Sequence, residues 1–99
     1  LMKEAVKRCL GQLIVSCQAY QNTPLYGAEM MKKMVECAMI GGARAVRCCW
    51  PQDIRAARQL SSDLIIIGIH KVMPPDEQDH RKADPYHRCI SESVCLPAA

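Results

Sequence analysis

Three polar side chains stand at the ends of three apolar stretches of this 99-residue chain. The side chains are those of Gln18, Arg47 and Lys71. If the stretches are parallel strands, all three groups lie on one side of the sheet, because the carboxyl ends of parallel strands open together. α/β barrels and open α/β sheets place catalytic and ligand-binding groups at that position. The three side chains could therefore converge on one ligand.

Each of these residues also has a simpler interpretation. Gln18 could only satisfy the backbone of the following loop, and Arg47 could only pair with an acid such as Asp53. Lys71 could mark the place where a buried strand emerges into water, because lysine is rarely buried. The repetition of one pattern at three strand ends raises the expectation of a shared polar site. The simpler interpretations stay open.

The strands themselves are predicted from apolar runs of different strength. Residues 63–71 contain a continuous run of isoleucines, which is typical of a parallel strand buried on both faces. Residues 13–18 predict the first strand, since a short apolar run turns polar at its end. Residues 43–47 predict a second, shorter strand by position, between a glycine pair and a loop that contains Trp50 and Pro51.

Three helices are predicted around these strands. Residues 2–10 have amphipathic spacing, which Gly11 ends. Residues 30–39 carry apolar side chains at helical spacing and should cover the sheet. Pro51 suits the first turn of a third helix, with Asp53 near its positive end. Strands that alternate with helices predict right-handed parallel units of the α/β class.

Residues 72–99 break this pattern. They contain Pro74, Pro75, Pro85 and Pro97 and mix charges without periodicity. The prediction is an irregular loop or tail after strand-helix units in residues 1–71, although residues 89–94 could form a short element.

Composition limits the class of function. The net charge of +3 is dispersed over predicted helices and lacks an aromatic-interleaved basic patch, which argues against nucleic acid. No apolar run is long enough for a membrane span, and residues 1–10 are too charged for a signal peptide. The odd count of seven cysteines favours reduced thiols and a cytoplasmic location.

A zinc site could be built from Cys48, Cys49, His87 and Cys89. No Cys-x-x-Cys pair is present, however, and adjacent cysteines rarely bind one ion together. We therefore expect no metal and no cofactor. A small metal or redox protein is the least favoured alternative.

The same stretches resemble a known family, the N-acylmannosamine-6-phosphate 2-epimerases. The resemblance covers roughly residues 10–71 in consistent order and spacing, which is more specific than a single motif. The matching segments are residues 13–19 with Pro24, Leu25 and Tyr26 for the first unit, residues 41–47 with Asp53 and Ile54 for the second, and residues 66–71 for the third strand.

The resemblance implies a TIM (β/α)8 barrel with a short N-terminal helix over its bottom. It implies an isomerase that interconverts N-acylmannosamine 6-phosphate and N-acylglucosamine 6-phosphate by proton transfer at C2, in amino-sugar and sialic acid catabolism. Lys71 would act in the proton transfer, and Gln18 and Arg47 would bind the sugar phosphate. Burial and the nearby Arg47 would both favour the neutral amine of Lys71 that this chemistry needs.

Departures from the family limit this expectation. His70 replaces an aliphatic residue, and Cys48, Cys49 and Trp50 replace a small polar loop. The family's acidic catalytic partner and phosphate-binding loops lie in later barrel units, which have no counterpart in residues 72–99. We therefore expect an N-terminal portion of a barrel that is inactive alone. The alternative is a non-catalytic barrel fragment or packing module, and in either case open strand edges predict homo-oligomers.

Overall fold

Three parallel strands and one antiparallel strand form a single mixed sheet. The structure is a computed structural model that describes residues 4–72 and 90–96, with residues 71, 72 and 90–96 described by their backbone alone. The elements are α1 (Glu4–Arg8), β1 (Ile14–Ser16), α2 (Ala28–Ile40), β2 (Ala45–Cys48), α3 (Pro51–Arg58), β3 (Ile65–Val72) and β4 (Ile90–Leu96). None of the helices in this part of the chain is long and apolar enough to cross a membrane.

The first three strands confirm the predicted parallel arrangement. β1 pairs with β2 and β2 with β3, all parallel, so that Ile14, Ala45 and Ile65 lie side by side across the sheet. The α/β class and the order of strand-helix units are therefore as the sequence predicts. β2 begins two residues later than predicted and includes Cys48.

The main core lies between the sheet and the helices α2 and α3. Met31 and Val35 of α2, which lie within the helix predicted over residues 30–39, are fully buried against Val46 and Ile66. α2 ends at a glycine pair whose second member, Gly42, has φ of 100°. A side chain there would be strained, so glycine allows the sharp return from α2 towards β2.

A smaller cluster forms on the opposite face of the sheet. Ala5 of α1 packs with Ala45 and Ile65, the first residues of β2 and β3. α1 therefore contacts the amino ends of these strands. This position agrees with the short N-terminal helix that the family resemblance implies.

Arg58 fixes the connection between α3 and β3. Its guanidinium donates to the carbonyl oxygens of Ser61 and Ser62, each at 3.2 Å, and to that of Leu64 at 2.5 Å. The last residue of α3 therefore holds the turn that leads into β3. Three carbonyl oxygens of this turn thus accept hydrogen bonds from a charged donor, which are stronger than neutral ones.

The strand β4 corrects the prediction for the end of the chain. The sequence offers no convincing strand after Lys71, yet Ile90–Leu96 pair antiparallel with β3, from Ile66 opposite Leu96 to Val72 opposite Ile90. The expected irregular structure is therefore wrong for these seven residues, which overlap the short element that the sequence left open at residues 89–94. The other residues of the predicted tail, 73–89 and 97–99, lie outside the described residues. β4 covers the edge of β3 that was expected to be open.

β1 keeps one open edge. In the strand order β1-β2-β3-β4 it has a neighbour on one side only among the described residues, and both Leu13 and Ile14 are exposed there. An unpaired edge with apolar neighbours is a template for a further strand. Homo-oligomers through strand edges thus stay a prediction, now for β1.

Replacing Ile66 with alanine is expected to destabilise the fold by about 2–5 kcal/mol, because a fully buried side chain leaves a cavity. Ile66 is 0% exposed at the centre of the core, whereas Ile40, at the end of α2, is 80% exposed. Ile40→Ala is the matched control and should change the free energy of unfolding by less than about 0.5 kcal/mol. Urea unfolding of both variants tests this, and equal losses would contradict the position of the core.

Candidate functional site

Arg47 lies at the carboxyl end of β2 with its side chain exposed. It belongs to the face of the sheet opposite α2 and α3, because its neighbours Val46 and Cys48 are buried in the helix-side core. Across the sheet it is level with Ser16 of β1 and Ile67 of β3. The β1–β2 pairing continues one residue further, since the Cys17 N–H donates to the Arg47 carbonyl oxygen at 2.8 Å.

Gln18 is half-buried two residues beyond Ser16, and the two side chains are hydrogen-bonded. The Gln18 amide nitrogen donates to the Ser16 Oγ at 2.7 Å. Ser16, Gln18 and Arg47 therefore form one group, which we call the polar row. Sequence reasoning missed Ser16. The signal that could have found it is the two-residue spacing between Ser16 and Gln18, which places side chains on the same side of an extended chain.

The structure removes one simpler interpretation of Arg47. Asp53, its suggested partner, is only 1% exposed, and neither carboxylate oxygen has a hydrogen-bond partner in the part of the chain that the structure describes. Arg47 is exposed and Asp53 is buried in the first turn of α3. The guanidinium of Arg47 is therefore not engaged by this acid.

Lys71 lies further along the sheet than the polar row. It is the seventh residue of β3 and comes four residues after Ile67, the residue level with Arg47. At about 3.3 Å per residue, its backbone is about 13 Å further along the strand direction. Strand alternation places position 71 on the same face as positions 65 and 67. The convergence of Lys71 with Gln18 and Arg47 stays a prediction.

A cleft of about 410 Å³ adjoins the polar row at the carboxyl end of β1. It is lined by Gln18, Ala19, Tyr20, Thr23, Pro24 and Leu25. The larger cleft of about 480 Å³ lies at the opposite ends of the strands, where Arg8 donates to the Asp63 carbonyl oxygen at 3.4 Å. Of these two clefts, the one beside Gln18 adjoins the polar row and can share a ligand with it.

Trp50 anchors the loop that forms this cleft. Its indole N–H donates to the Ala19 carbonyl oxygen, and its ring makes edge contacts with Tyr20 and Tyr26 at centroid distances of 6.3 and 6.2 Å. The Gln52 amide also donates to the Tyr26 hydroxyl at 3.1 Å. The loop after β2 therefore fixes the loop after β1. This contact gives a structural role to one of the residues that depart from the family pattern.

A buried group of thiols and one carboxyl lies behind the polar row. Burial, and after it the neighbouring Cys17, Asp53 and Cys49, raises the pKa of the Cys48 thiol to about 12. Burial likewise raises the pKa of Cys17. Both groups are thus protonated thiols at neutral pH and poor nucleophiles. Among the side chains that the structure describes, no three His, Cys, Asp or Glu residues are placed to hold a metal, while His87 and Cys89 lie outside the described residues.

Asp53→Asn is expected to flatten the dependence of stability on pH. Burial raises the pKa of the Asp53 carboxyl, so the folded state keeps its proton at pH values where the unfolded chain has lost it. The stability of the unmodified chain should therefore fall as pH rises from about 4 through the raised pKa. Thermal unfolding of both proteins between pH 4 and 7 tests this. A variant that loses stability relative to the unmodified chain as pH rises would contradict the assignment.

Parallel strand-helix units with polar groups at the carboxyl ends of strands are the arrangement of α/β enzymes. Comparison with known proteins narrows this class, although no protein-family model matches the chain. A protein of Listeria monocytogenes serotype 4b, provisionally named N-acetylmannosamine-6-phosphate 2-epimerase, is 44% identical over 66 residues, which are 67% of this chain and 28% of the relative. One from Borreliella burgdorferi with the same name is 49% identical over 59 residues, 60% of this chain and 25% of the relative.

A solved structure agrees with these relatives. The N-acetylmannosamine-6-phosphate 2-epimerase from Clostridium perfringens matches with a TM-score of 0.61 and 39% identity, over 67% of this chain and 28% of that one. The resemblance to this epimerase family that the sequence predicts is thereby confirmed. The chain spans only about a quarter of the length of the relatives it matches.

Proposed function

We propose that this chain supplies substrate-binding and proton-transfer residues to an N-acylmannosamine-6-phosphate 2-epimerase, as the N-terminal portion of its (β/α)8 barrel. The observation that carries the proposal is the polar row, in which Gln18, Ser16 and the exposed Arg47 sit together at the carboxyl ends of parallel strands. The likeness to proteins named for this activity supplies the substrate class.

Arg47, Gln18 and Lys71 would have different roles in the reaction. Arg47, exposed and not engaged by Asp53, has a guanidinium that can hold sugar oxygens and stabilise negative charge developing near C2. Gln18 would orient the substrate through its amide, which Ser16 fixes in place. Lys71 would take the C2 proton as a neutral amine, and a second acid would deliver a proton to the opposite face of the carbon.

Two further groups must come from outside this chain. A sugar phosphate needs an anchor for its phosphate, and (β/α)8 barrels commonly provide one after the seventh and eighth strands. Inversion at one carbon also calls for a proton carrier on each face. Since the chain spans about a quarter of its relatives, we expect both groups in the remaining length and no turnover by the 99-residue chain alone.

The second candidate is a non-catalytic packing module, and β4 favours it. A barrel closes by parallel pairing on both sides of every strand. Here the edge of β3 is already paired, antiparallel, with β4. A chain that covers the edge of its own sheet with β4 needs no further barrel units on that side. In such a chain the polar row could be present although no reaction is catalysed.

A chimera tests the proposal through Arg47. Residues 10–71 of this chain replace the matching segment of the Clostridium perfringens epimerase, and steady-state kinetics are measured with N-acetylmannosamine 6-phosphate. Arg47→Ala is expected to raise KM and lower kcat together, reducing kcat/KM by roughly 10- to 100-fold, because a charged hydrogen bond to the substrate is lost.

Arg44→Ala is the matched control for this test. Arg44 is also an exposed arginine, but it lines the cleft at the amino ends of the strands. Its replacement should leave kcat/KM within about twofold, as for a surface change away from the site. Equal effects of the two substitutions would contradict the placement of the substrate beside the polar row.

A further inference from the structure

Two buried thiols, those of Cys17 and Cys48, lie on neighbouring strands behind the polar row. β1 and β2 pair in register up to Ser16 and Arg47, and the hydrogen bond from the Cys17 N–H to the Arg47 carbonyl oxygen continues this pattern. Cys17 is therefore level with Cys48. Neighbouring strands are about 4.8 Å apart, and disulfides join residues whose Cα atoms are roughly 4.4–6.8 Å apart. The backbone spacing thus fits a disulfide between the two cysteines.

The two side chains also lie on the same face of the sheet. Both belong to the core cluster between the sheet and the helices α2 and α3, and both are at most 1% exposed. Burial is the main cause that raises the pKa of the Cys48 thiol, and the neighbouring Cys17 is the next, so the two thiols are close. Cys49 is buried as well but lies outside this cluster. Cys17 is therefore the thiol that faces Cys48.

We propose that Cys17 and Cys48 form a reversible disulfide that ties β1 to β2 directly behind the polar row. This modification site is independent of the proposed function, because it needs neither the substrate nor the remaining barrel units. In the structure both cysteines are reduced. Forming the bond therefore requires an oxidant, and we assign this role to a low-molecular-weight disulfide such as oxidised glutathione.

The reaction with this oxidant is a pair of thiol–disulfide exchanges. The thiolate of one cysteine attacks the small disulfide, which gives a mixed disulfide and releases one small thiolate. The second cysteine then attacks the mixed disulfide and releases the other small thiolate. The two protons lost by the cysteines pass to the two released thiolates. The protein is thus oxidised by two electrons, and the small disulfide is reduced by the same two.

The first exchange needs a transient opening of β1. In the closed sheet both thiols are buried and their pKa values are raised, so they are poor nucleophiles. β1 is only three residues long and lies at an edge of the described sheet, so it can separate locally from β2. Opening brings both thiols into water and returns their pKa values towards the ordinary one. Oxidation is therefore slow, and its rate is set by this opening.

Strain makes the bond reversible. Side chains level with each other on parallel strands are about as far apart as the strands, which exceeds the roughly 3.8 Å that a relaxed disulfide has between its Cβ atoms. Strained disulfides are reduced more easily than relaxed ones. We therefore expect the bond to form when the surrounding thiol pool is oxidised and to be lost when that pool is reducing.

Tryptic mapping of the 99-residue chain tests the pairing. The chain is incubated with excess oxidised glutathione at pH 8, its remaining thiols are alkylated, and it is digested. Trypsin yields residues 9–32, which contain Cys17, and residues 48–55, which contain Cys48. Mass spectrometry should find these two peptides joined, and dithiothreitol should separate them. Glutathione adducts without joined peptides would overturn the proposal.

Four single substitutions assign the bond within the joined peptides. Cys17→Ala and Cys48→Ala should each abolish the joined pair. Cys9→Ala and Cys49→Ala are the matched controls, because these cysteines lie in the same two peptides, and both variants should keep it. Joined peptides that persist in Cys17→Ala or Cys48→Ala would contradict the assignment, as would their loss in either control.

Amide hydrogen exchange provides a second measurement that needs no substitution. A crosslink at the end of β1 prevents local separation from β2, so the Cys17 N–H should exchange at least about tenfold more slowly in the oxidised chain. The Gly41 N–H is the control, since it donates to the Cys37 carbonyl oxygen at the end of α2, and its exchange rate should change by less than about twofold. Unchanged exchange at Cys17 after oxidation would overturn the crosslink between the strands.

Discussion

Lys71→Ala is expected to reduce exchange of the C2 proton with solvent by about 10²- to 10⁴-fold in the chimera described above, the range that one general base contributes. The chimera should still bind N-acetylmannosamine 6-phosphate, because Arg47, Gln18 and the phosphate anchor supply most of the affinity. The measurement is deuterium incorporation at C2, followed by NMR in heavy water, with binding measured separately by calorimetry.

Lys71→Arg is the matched control for proton transfer. Arginine keeps a positive charge and a similar length but cannot give up its proton in a protein. It should therefore bind the sugar phosphate and fail to exchange the proton, as the alanine variant does. Undiminished exchange in either variant would make Lys71 an ordinary strand residue and would leave the chemistry to another group.

Deleting residues 73–99 is expected to convert the chain into large assemblies. The deletion removes β4 and leaves the apolar strand β3 without a partner on one side. In the full chain the described sheet ends at β1 and at β4. The sequence of β4 contains Ser91, Glu92 and Ser93, and such polar residues discourage pairing at an edge, so association is expected through β1 and stops at a two-fold dimer. With the apolar β3 in place of β4 as the second edge, each molecule can bind two others and growth has no natural end.

Deleting residues 97–99 alone is the control, because it keeps β4. Sedimentation velocity at increasing concentration should show a monomer or dimer for this shorter deletion and for the full chain. The longer deletion should show a broad distribution of larger species. The same small species for all three proteins would mean that β4 does not protect the edge of β3.

The parallel sheet could be predicted from sequence because its signal is local. The isoleucines of β3 form a continuous apolar run, and a strand buried on both faces needs one. The ends of β2 were predicted less accurately. Its sequence, Ala45–Cys48, contains an arginine and has little strand character of its own, and its pairing with β1 and β3 defines it as a strand. For β4 the sequence offered only a short element that residues 89–94 could form. Its antiparallel pairing with β3 could not be predicted, because that pairing joins residues far apart in the sequence.

The candidate site could also be predicted only in part. Gln18 and Arg47 were found because each follows an apolar run, and the shared register then brings Arg47 level with Ser16. The hydrogen bond from Trp50 to the Ala19 carbonyl oxygen could not be predicted, because it depends on how two loops meet in three dimensions. The burial of Asp53 was also missed, since an acid near the start of a helix is usually solvated and favourable there.

Turnover by the chimera tests the central claim most directly. The claim is that residues 10–71 carry working substrate-binding and proton-transfer groups, which lack only the remaining barrel. We predict that the chimera interconverts N-acetylmannosamine 6-phosphate and N-acetylglucosamine 6-phosphate and exchanges the C2 proton, whereas the 99-residue chain alone does neither. A chimera that folds, binds the sugar phosphate and shows no exchange at C2 would contradict the claim and favour the packing module.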